Sequence, residues 1–161
     1  MGGITQDKIS WQNRPTFQQV VQFPSRRGQS TANLTTRATA SASSHETGWN
    51  NLPPQNVLDG NRSTRWASDW SDDQWIQVDL GSVQQVGRAV LQWESAYASG
   101  YRIDVSNDGT TWRNVFSTSA GDGGEDVVAF APQDARYLRM TGTQRATRYG
   151  YSLYELEVYS L

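Results

Sequence analysis

An all-β sandwich or barrel is the fold class predicted for this chain of 161 residues. Three observations carry the prediction. From Ala38 onward, short segments place apolar residues two apart, turn-forming residues separate those segments, and helix signal is almost absent. The length suits one domain with a working core and an appendage, and no internal repeat is visible.

The N-terminal 37 residues read differently. QNRPTFQQVVQFPSRRGQSTANL is Gln-rich, holds Pro15, Pro24 and Gly28, and offers only short apolar runs such as Val20-Val21. Residues 1–37 are therefore expected to be a linker or tail, in part disordered, with at most one strand, and residues 38–161 the domain. Charge divides at the same place. The first segment carries Lys8, Arg14, Arg26, Arg27 and Arg37 against Asp7 alone, whereas the remainder has nine basic and fifteen acidic residues. An acidic body argues against nucleic acid, whose phosphates need an excess of Lys and Arg on one face.

In chain order, QWIQVDL alternates with Ile76, Val78 and Leu80 on one face, and Val83 to Trp93 reads as a second strand. YRIDVS, NDGTTW and RNVF form a hairpin signal, with Asn107-Asp108-Gly109 tolerating positive φ. EDVVAFA and RYLRMTG follow as separate strands. The closing strand sets Tyr154, Leu156 and Val158 on one face and Glu155, Glu157 and Tyr159 on the other. Pro53-Pro54 and AGDGGED mark longer loops.

Composition removes several function classes. There is no cysteine, hence no disulfide and no thiol chemistry. One histidine, His45, makes neither a transition-metal cluster nor a triad. No apolar run is long enough to span a bilayer, and Met1-Gly2-Gly3 followed by polar residues is not a signal peptide. The expected setting is a piece of a longer protein, or a chain whose targeting segment has been lost. Of the seven tryptophans, six lie after residue 45. Trp66, Trp75, Trp93 and Trp112 have strand neighbours and are expected in the core or at its edge. Trp70, between Ser68-Asp69 and Ser71-Asp72-Asp73, is expected in a solvent-facing loop.

NVLDGNRSTRWAS, DDQWIQVDLG, VSNDGTTWRNV, ARYLRMTGT and YGYSLYELEVY occur in that order. The series resembles the discoidin, or coagulation-factor type C, domain, and more closely its bacterial branch, the family 32 carbohydrate-binding modules. The resemblance covers about 38–161. The terminal cysteine pair of many animal members is missing, which favours the bacterial branch. The resemblance implies a jelly-roll β-sandwich of the galactose-binding-like kind with a structural Ca²⁺. It also implies a secreted, bacterial, monomeric module joined covalently to a glycoside hydrolase, with a polysaccharide or oligosaccharide as partner and neither nucleic acid nor membrane.

The residues are consistent with such an ion. Ca²⁺ takes six to eight oxygens from carboxylates and carbonyls around a tight turn. Asp59-Gly60-Asn61 followed by Thr64 supplies a carboxylate, a turn glycine, and carbonyl and hydroxyl oxygens; Glu155 offers a second carboxylate from the last strand. The resemblance adds a backbone oxygen from Asn56. A plain D-G turn and a surface glutamate would give the same letters.

A sugar presents an apolar C–H face and a rim of hydroxyls, so its site needs an exposed aromatic plane flanked by charged or amide groups. Candidates stand in separate loops: Glu46 and Trp49, Arg65 and Trp70, Glu94 and Tyr97, and Arg148, Tyr149 and Tyr151. Carried over from the resemblance, Glu46, Arg65, Trp70, Glu94 and Tyr149 are the contacts. Trp70 or Tyr149 would be the stacking platform, Arg65 a donor to hydroxyls, and Glu46 and Glu94 acceptors. Plainer roles compete. Arg65 can pair with Asp69 or Asp73, Tyr151 can seat the last strand, and Trp49 and Leu52 can close a loop beside Pro53-Pro54. Two carboxylates suit the ammonium of glucosamine in chitosan, and equally the hydroxyls of β-1,3-glucan. Glu46 and Glu94 could in principle form a glycosidase pair, but a short chain with a shallow loop site argues against catalysis. An adhesion domain for a cell-surface glycan, protein or lipid is the alternative, and only Trp49-Leu52 would supply its apolar loop tip.

Overall fold

The computed structural model describes residues 32–160. The tail expected over residues 1–37 therefore falls mostly outside the described residues. Its last part does not behave as a tail: Asn33 bridges to Tyr159, the Leu34 N–H donates to the Val158 carbonyl at 2.7 Å, and Thr35 is buried. The folded unit thus begins upstream of Ala38, because the final strand needs a partner for its outer edge.

Seven strands account for nearly all regular structure: β1 (Thr39–Ala42), β2 (Trp66–Ala67), β3 (Trp75–Trp93), β4 (Ala98–Ser106), β5 (Arg113–Thr118), β6 (Glu125–Arg145) and β7 (Ser152–Tyr159). One 3₁₀ turn, Pro54–Leu58, begins on the proline pair, whose fixed φ suits a helical first turn. Every pairing is antiparallel.

The two strands expected over 74–93 are one bent strand, and so are the two expected over 125–142. β3 bends after Leu80, where Gly81 takes φ 88° and the ladder with β6 slips between Asp79 and Gln84. A left-handed backbone conformation at the bend is what glycine permits. The corner is tied by Arg136, whose guanidinium donates to both Asp79 oxygens at 2.8 and 3.0 Å. Because of the bend, each long strand serves two layers. The first half of β3 pairs with β1 and the second half of β6, which continues to β4 and β5; the second half of β3 pairs with β7 and the first half of β6, and β7 carries β2. The product is a β-sandwich.

Ile76 and Val78 from one layer meet Leu91, Leu156 and Val158 from the other in a single core, closed by Trp66, Trp93, Tyr101 and Tyr151. Trp66 and Trp93 are buried, as expected. Trp75 and Trp112 are half-buried outside the core cluster and hold the Arg139 guanidinium over their rings, at 4.0 and 4.4 Å from the ring centres. The simple alternation expected for β7 is broken. A register slip opposite Gln92 and Trp93 puts Leu153 in the core, leaves Tyr154 half-buried, and turns Glu155 inward.

Candidate functional site

The chain reversals at one end of the sandwich build a cleft of about 260 Å³ from four loops. Glu46 comes from the segment after β1, Arg65 and Trp70 flank β2, Glu94 follows β3, and Tyr149 precedes β7; all five line it. Backbone bonds fix the loops to one another. The Glu46 N–H donates to the Ala67 carbonyl at 2.8 Å, and the Glu94 N–H to the Ser152 carbonyl at 3.0 Å. Ser68 and Tyr151 exchange two bonds, from the Ser68 N–H to the Tyr151 carbonyl and from the Tyr151 N–H to the Ser68 Oγ. Gly150 allows this closeness, since a Cβ there would stand 2.5 Å from the carbonyl oxygens of Ser68 and Asp69.

Aromatic surface and charge then meet. The Trp70 ring packs edge-on with Tyr149, with centroids 5.2 Å apart, while the two residues stay 56% and 41% exposed. The Trp70 Nε1–H points to the Glu46 carboxylate at 3.3 Å. Arg65 donates to the Ser152 Oγ at 2.8 Å and lies 4.0 Å from Glu94; it pairs with neither Asp69 nor Asp73. Partial burial raises the Glu94 carboxyl, but the Ala96 N–H, the Ser95 hydroxyl and Arg65 together hold it below its ordinary value. Glu94 is thus a carboxylate at neutral pH, and an acceptor.

Other expected residues take different places. Tyr97 lies outside the cleft: its half-buried ring packs on the core and over Gly123, where a Cβ would meet it at 2.9 Å. Arg148 does not line the cleft either. It is exposed and rests on Tyr149, its guanidinium 5.0 Å from the ring centre and donating to the hydroxyl at 3.0 Å. Tyr151 seats the last strand, buried against Gly142 with its hydroxyl donating to the Asp72 carbonyl at 2.6 Å. Trp49 does not close a loop; it stands wholly in solvent. Ser152, Ser68 and Gly150 were missed. Nothing in a strand-like SLYELEVY marks its first serine as the partner of an arginine 87 positions upstream.

On the neighbouring edge, Asp59 accepts from the Asn61 N–H at 2.9 Å and from the Thr64 hydroxyl at 2.5 Å, and Thr64 also donates to the Asn61 carbonyl. The Asn56 amide donates to the Arg65 carbonyl at 2.8 Å, linking this loop to the cleft. Glu155 is not a surface glutamate: it is 4% exposed, and its Oε1 is buried without a hydrogen-bond partner. Burial first, and the Asp59 carboxylate second, push its carboxyl up to about 7. Among the described residues, no three His, Cys, Asp or Glu side chains converge as a transition-metal site requires.

Comparison with known proteins agrees with this fold. The F5/8 type C domain family model matches residues 38–156. Chitosan-binding module 1 of a chitosanase/glucanase from Paenibacillus sp. IK-5 is 50% identical and superposes with a TM-score of 0.76 over 80% of this chain and 99% of that one. Module 2 of that enzyme, solved with chitotriose, is 45% identical with a TM-score of 0.76 over 80% of this chain and all of its own. A sialidase from Micromonospora viridifaciens is 31% identical over 139 residues, 74% of this chain. The chain spans 6% and 20% of the length of the curated relatives that it matches. By its sequence match and its architecture, the chain belongs to the F5/8 type C, or discoidin, domain family.

Proposed function

We propose that this domain is a non-catalytic carbohydrate-binding module whose cleft grips glucosamine units of a chitosan-type chain. One observation carries the reading: Glu46, Arg65, Trp70, Glu94 and Tyr149, dispersed over more than a hundred positions, line one solvent-open cleft. Trp70, the more exposed ring, serves as the platform for the apolar face of the sugar. Glu46 and Glu94 accept from the ammonium or hydroxyls, and Arg65 donates to ring hydroxyls. The likeness to two chitosan-binding modules supports an amino sugar over a neutral glucan.

The cleft opens to solvent, and modules of this family are non-catalytic, so the work of the module is tethering. It would hold an attached glycoside hydrolase on an insoluble polymer outside the cell and raise the local enzyme concentration there. A few stacked and hydrogen-bonded rings correspond to a Kd of roughly 10 μM to 1 mM.

The Asp59 loop suits a structural Ca²⁺. Asp59 and the inward Glu155 offer two carboxylates, the orphaned Glu155 Oε1 lacks the partner that a cation would be, and Asn56, Asn61 and Thr64 add carbonyl or hydroxyl oxygens. Bound there, the ion would clamp the loop before β2 to β7, two elements that position Arg65 and Ser152.

Calorimetric titration with glucosamine oligomers and β-1,3-glucan oligomers, each at low and high salt, tests the sugar assignment. The expected result is binding of the glucosamine series that weakens as salt rises, since ammonium–carboxylate attraction is screened. Salt-independent binding of the glucan alone would replace the assignment with a neutral ligand.

A further inference from the structure

Arg65 and Glu94 face each other in the cleft without joining. Their nearest atoms, Arg65 Nη1 and Glu94 Oε1, stand 4.0 Å apart, and both side chains are half-buried. That gap is too long for a hydrogen bond, although the two charges attract. Each group is held back by other partners.

Arg65 Nη1 donates to the Ser152 Oγ at 2.8 Å. Glu94 is held from the other side: its Oε1 accepts from the Ala96 N–H and its Oε2 from the Ser95 hydroxyl, both at 2.9 Å. The turn that makes those two bonds is itself fastened to Ser152. The Ser152 N–H donates to the Ala96 carbonyl at 2.8 Å, and the Ser152 carbonyl accepts from the Glu94 N–H at 3.0 Å. One buried residue thus fixes the guanidinium through its side chain and the carboxylate through its main chain. Register puts it there. Ser152 opens β7 opposite Ala67 of β2, two residues from Arg65, while the next residue of β7 pairs with Trp93, immediately before Glu94.

Of these bonds, only the one through the hydroxyl can be removed by substitution while the turn stays tied. Without the Ser152 Oγ, a shift of about 1 Å would bring Arg65 Nη1 within bonding distance of Glu94 Oε1. The ion pair so formed would occupy the donor and the acceptor together. A saccharide hydroxyl accepts one hydrogen bond while donating another, so it needs both groups open.

We propose that Ser152 is a positioning residue of the sugar site: its hydroxyl holds Arg65 off Glu94 and keeps a donor and an acceptor open, side by side, for one hydroxyl of the ligand. The inference rests on the saccharide reading of the cleft and deepens it, since affinity then depends on a buried serine that belongs to a strand and not to the exposed loops.

The test is an NMR titration of the full chain with chitotriose, beside thermal melts, for the wild type, Ser152→Ala, Ser152→Thr, Glu94→Gln, and Ser152→Ala combined with Glu94→Gln. Ser152→Ala should weaken binding about tenfold at an unchanged melting temperature. Ser152→Thr, which keeps the hydroxyl, should bind within about threefold of the wild type. With Glu94→Gln in place the arginine has no carboxylate to fall onto, so adding Ser152→Ala should cost less than about threefold. Wild-type affinity in Ser152→Ala, or an equal loss from it with and without Glu94→Gln, overturns the positioning role. So does a melting temperature that falls in step with affinity. A wild type that binds a β-1,3-glucan trimer in place of chitotriose overturns the amino-sugar reading alone, and the same variants ranked with that trimer then decide the role of Ser152. A wild type that binds neither overturns both.

Discussion

The indole of Trp70 stands perpendicular to the ring of Tyr149, at 87° between planes and 5.2 Å between centroids, although the two residues lie in loops separated by four strands, β3 to β6. An edge-to-face pair of this kind contributes about 0.5–1.5 kcal/mol. Its value to the protein lies elsewhere, because both rings remain open to solvent.

Removing either ring should therefore separate binding from folding. Trp70→Ala and Tyr149→Ala are expected to abolish detectable capture by polysaccharide while shifting unfolding free energy by no more than about 1 kcal/mol. Pull-down on insoluble chitosan and denaturant melts measure the two quantities. A variant that unfolds would mark its aromatic as part of the core and remove it from the site.

Gly150→Ala should do the opposite. The added methyl would stand 2.5 Å from the Ser68 and Asp69 carbonyls and the Ser68 hydroxyl, and that hydroxyl is half of the Ser68–Tyr151 exchange. A loss of roughly 1–3 kcal/mol is expected, as for overpacked sites, together with loss of binding because Tyr149 moves away from Trp70. A stable variant with unchanged affinity would show that the loop closure is not what aligns the rings.

Chelation tests the Asp59–Glu155 site. If Ca²⁺ binds only the folded state, excess chelator should lower the melting temperature, and added Ca²⁺ should restore it. Glu155→Gln should be insensitive to both treatments. A wild-type melting curve indifferent to chelator would exclude the ion.

Asp126 gives a pH prediction at a point remote from the cleft. Its carboxylate accepts from the Tyr101 hydroxyl at 2.7 Å and the Trp93 indole at 2.9 Å, yet burial, with Asp122 and Glu125 nearby, raises it to about 6. The folded state thus holds this proton more tightly than the unfolded chain does. The associated stability is fully present below the ordinary aspartate value and is lost as pH rises through about 6. Wild type should therefore gain on Asp126→Asn by roughly 1–3 kcal/mol as pH falls from 7.5 to 4. Thermal melts of both proteins across that range decide it, and a pH-independent difference would contradict it.

Much of the strand layout was legible because β alternation is a local signal. Ile76, Val78, Leu156 and Val158 occupy the core faces that their spacing assigns. What failed was continuity. The spacing reads 74–93 and 125–142 as four strands, since nothing local distinguishes a turn from a bend at Gly81 that keeps its ladder partners. Tyr154 was misplaced because a bulge has no sequence period. The candidate site followed the same division: Glu46, Arg65, Trp70, Glu94 and Tyr149, carried over from the family resemblance, line one cleft, while Tyr97 packs on the core and Arg148 rests on Tyr149 outside it.

Residue types, their two-residue period and the order of short motifs suffice for an antiparallel β protein with aromatic and charged loops, because each depends on contacts between near neighbours. The meeting of those loops does not. It arises from two long strands that bend between layers and set the segments after β1, β2 and β3 beside the one before β7. Long-range register alone determines which indole faces water, which carboxylate goes unpaired and which glycine must stay small.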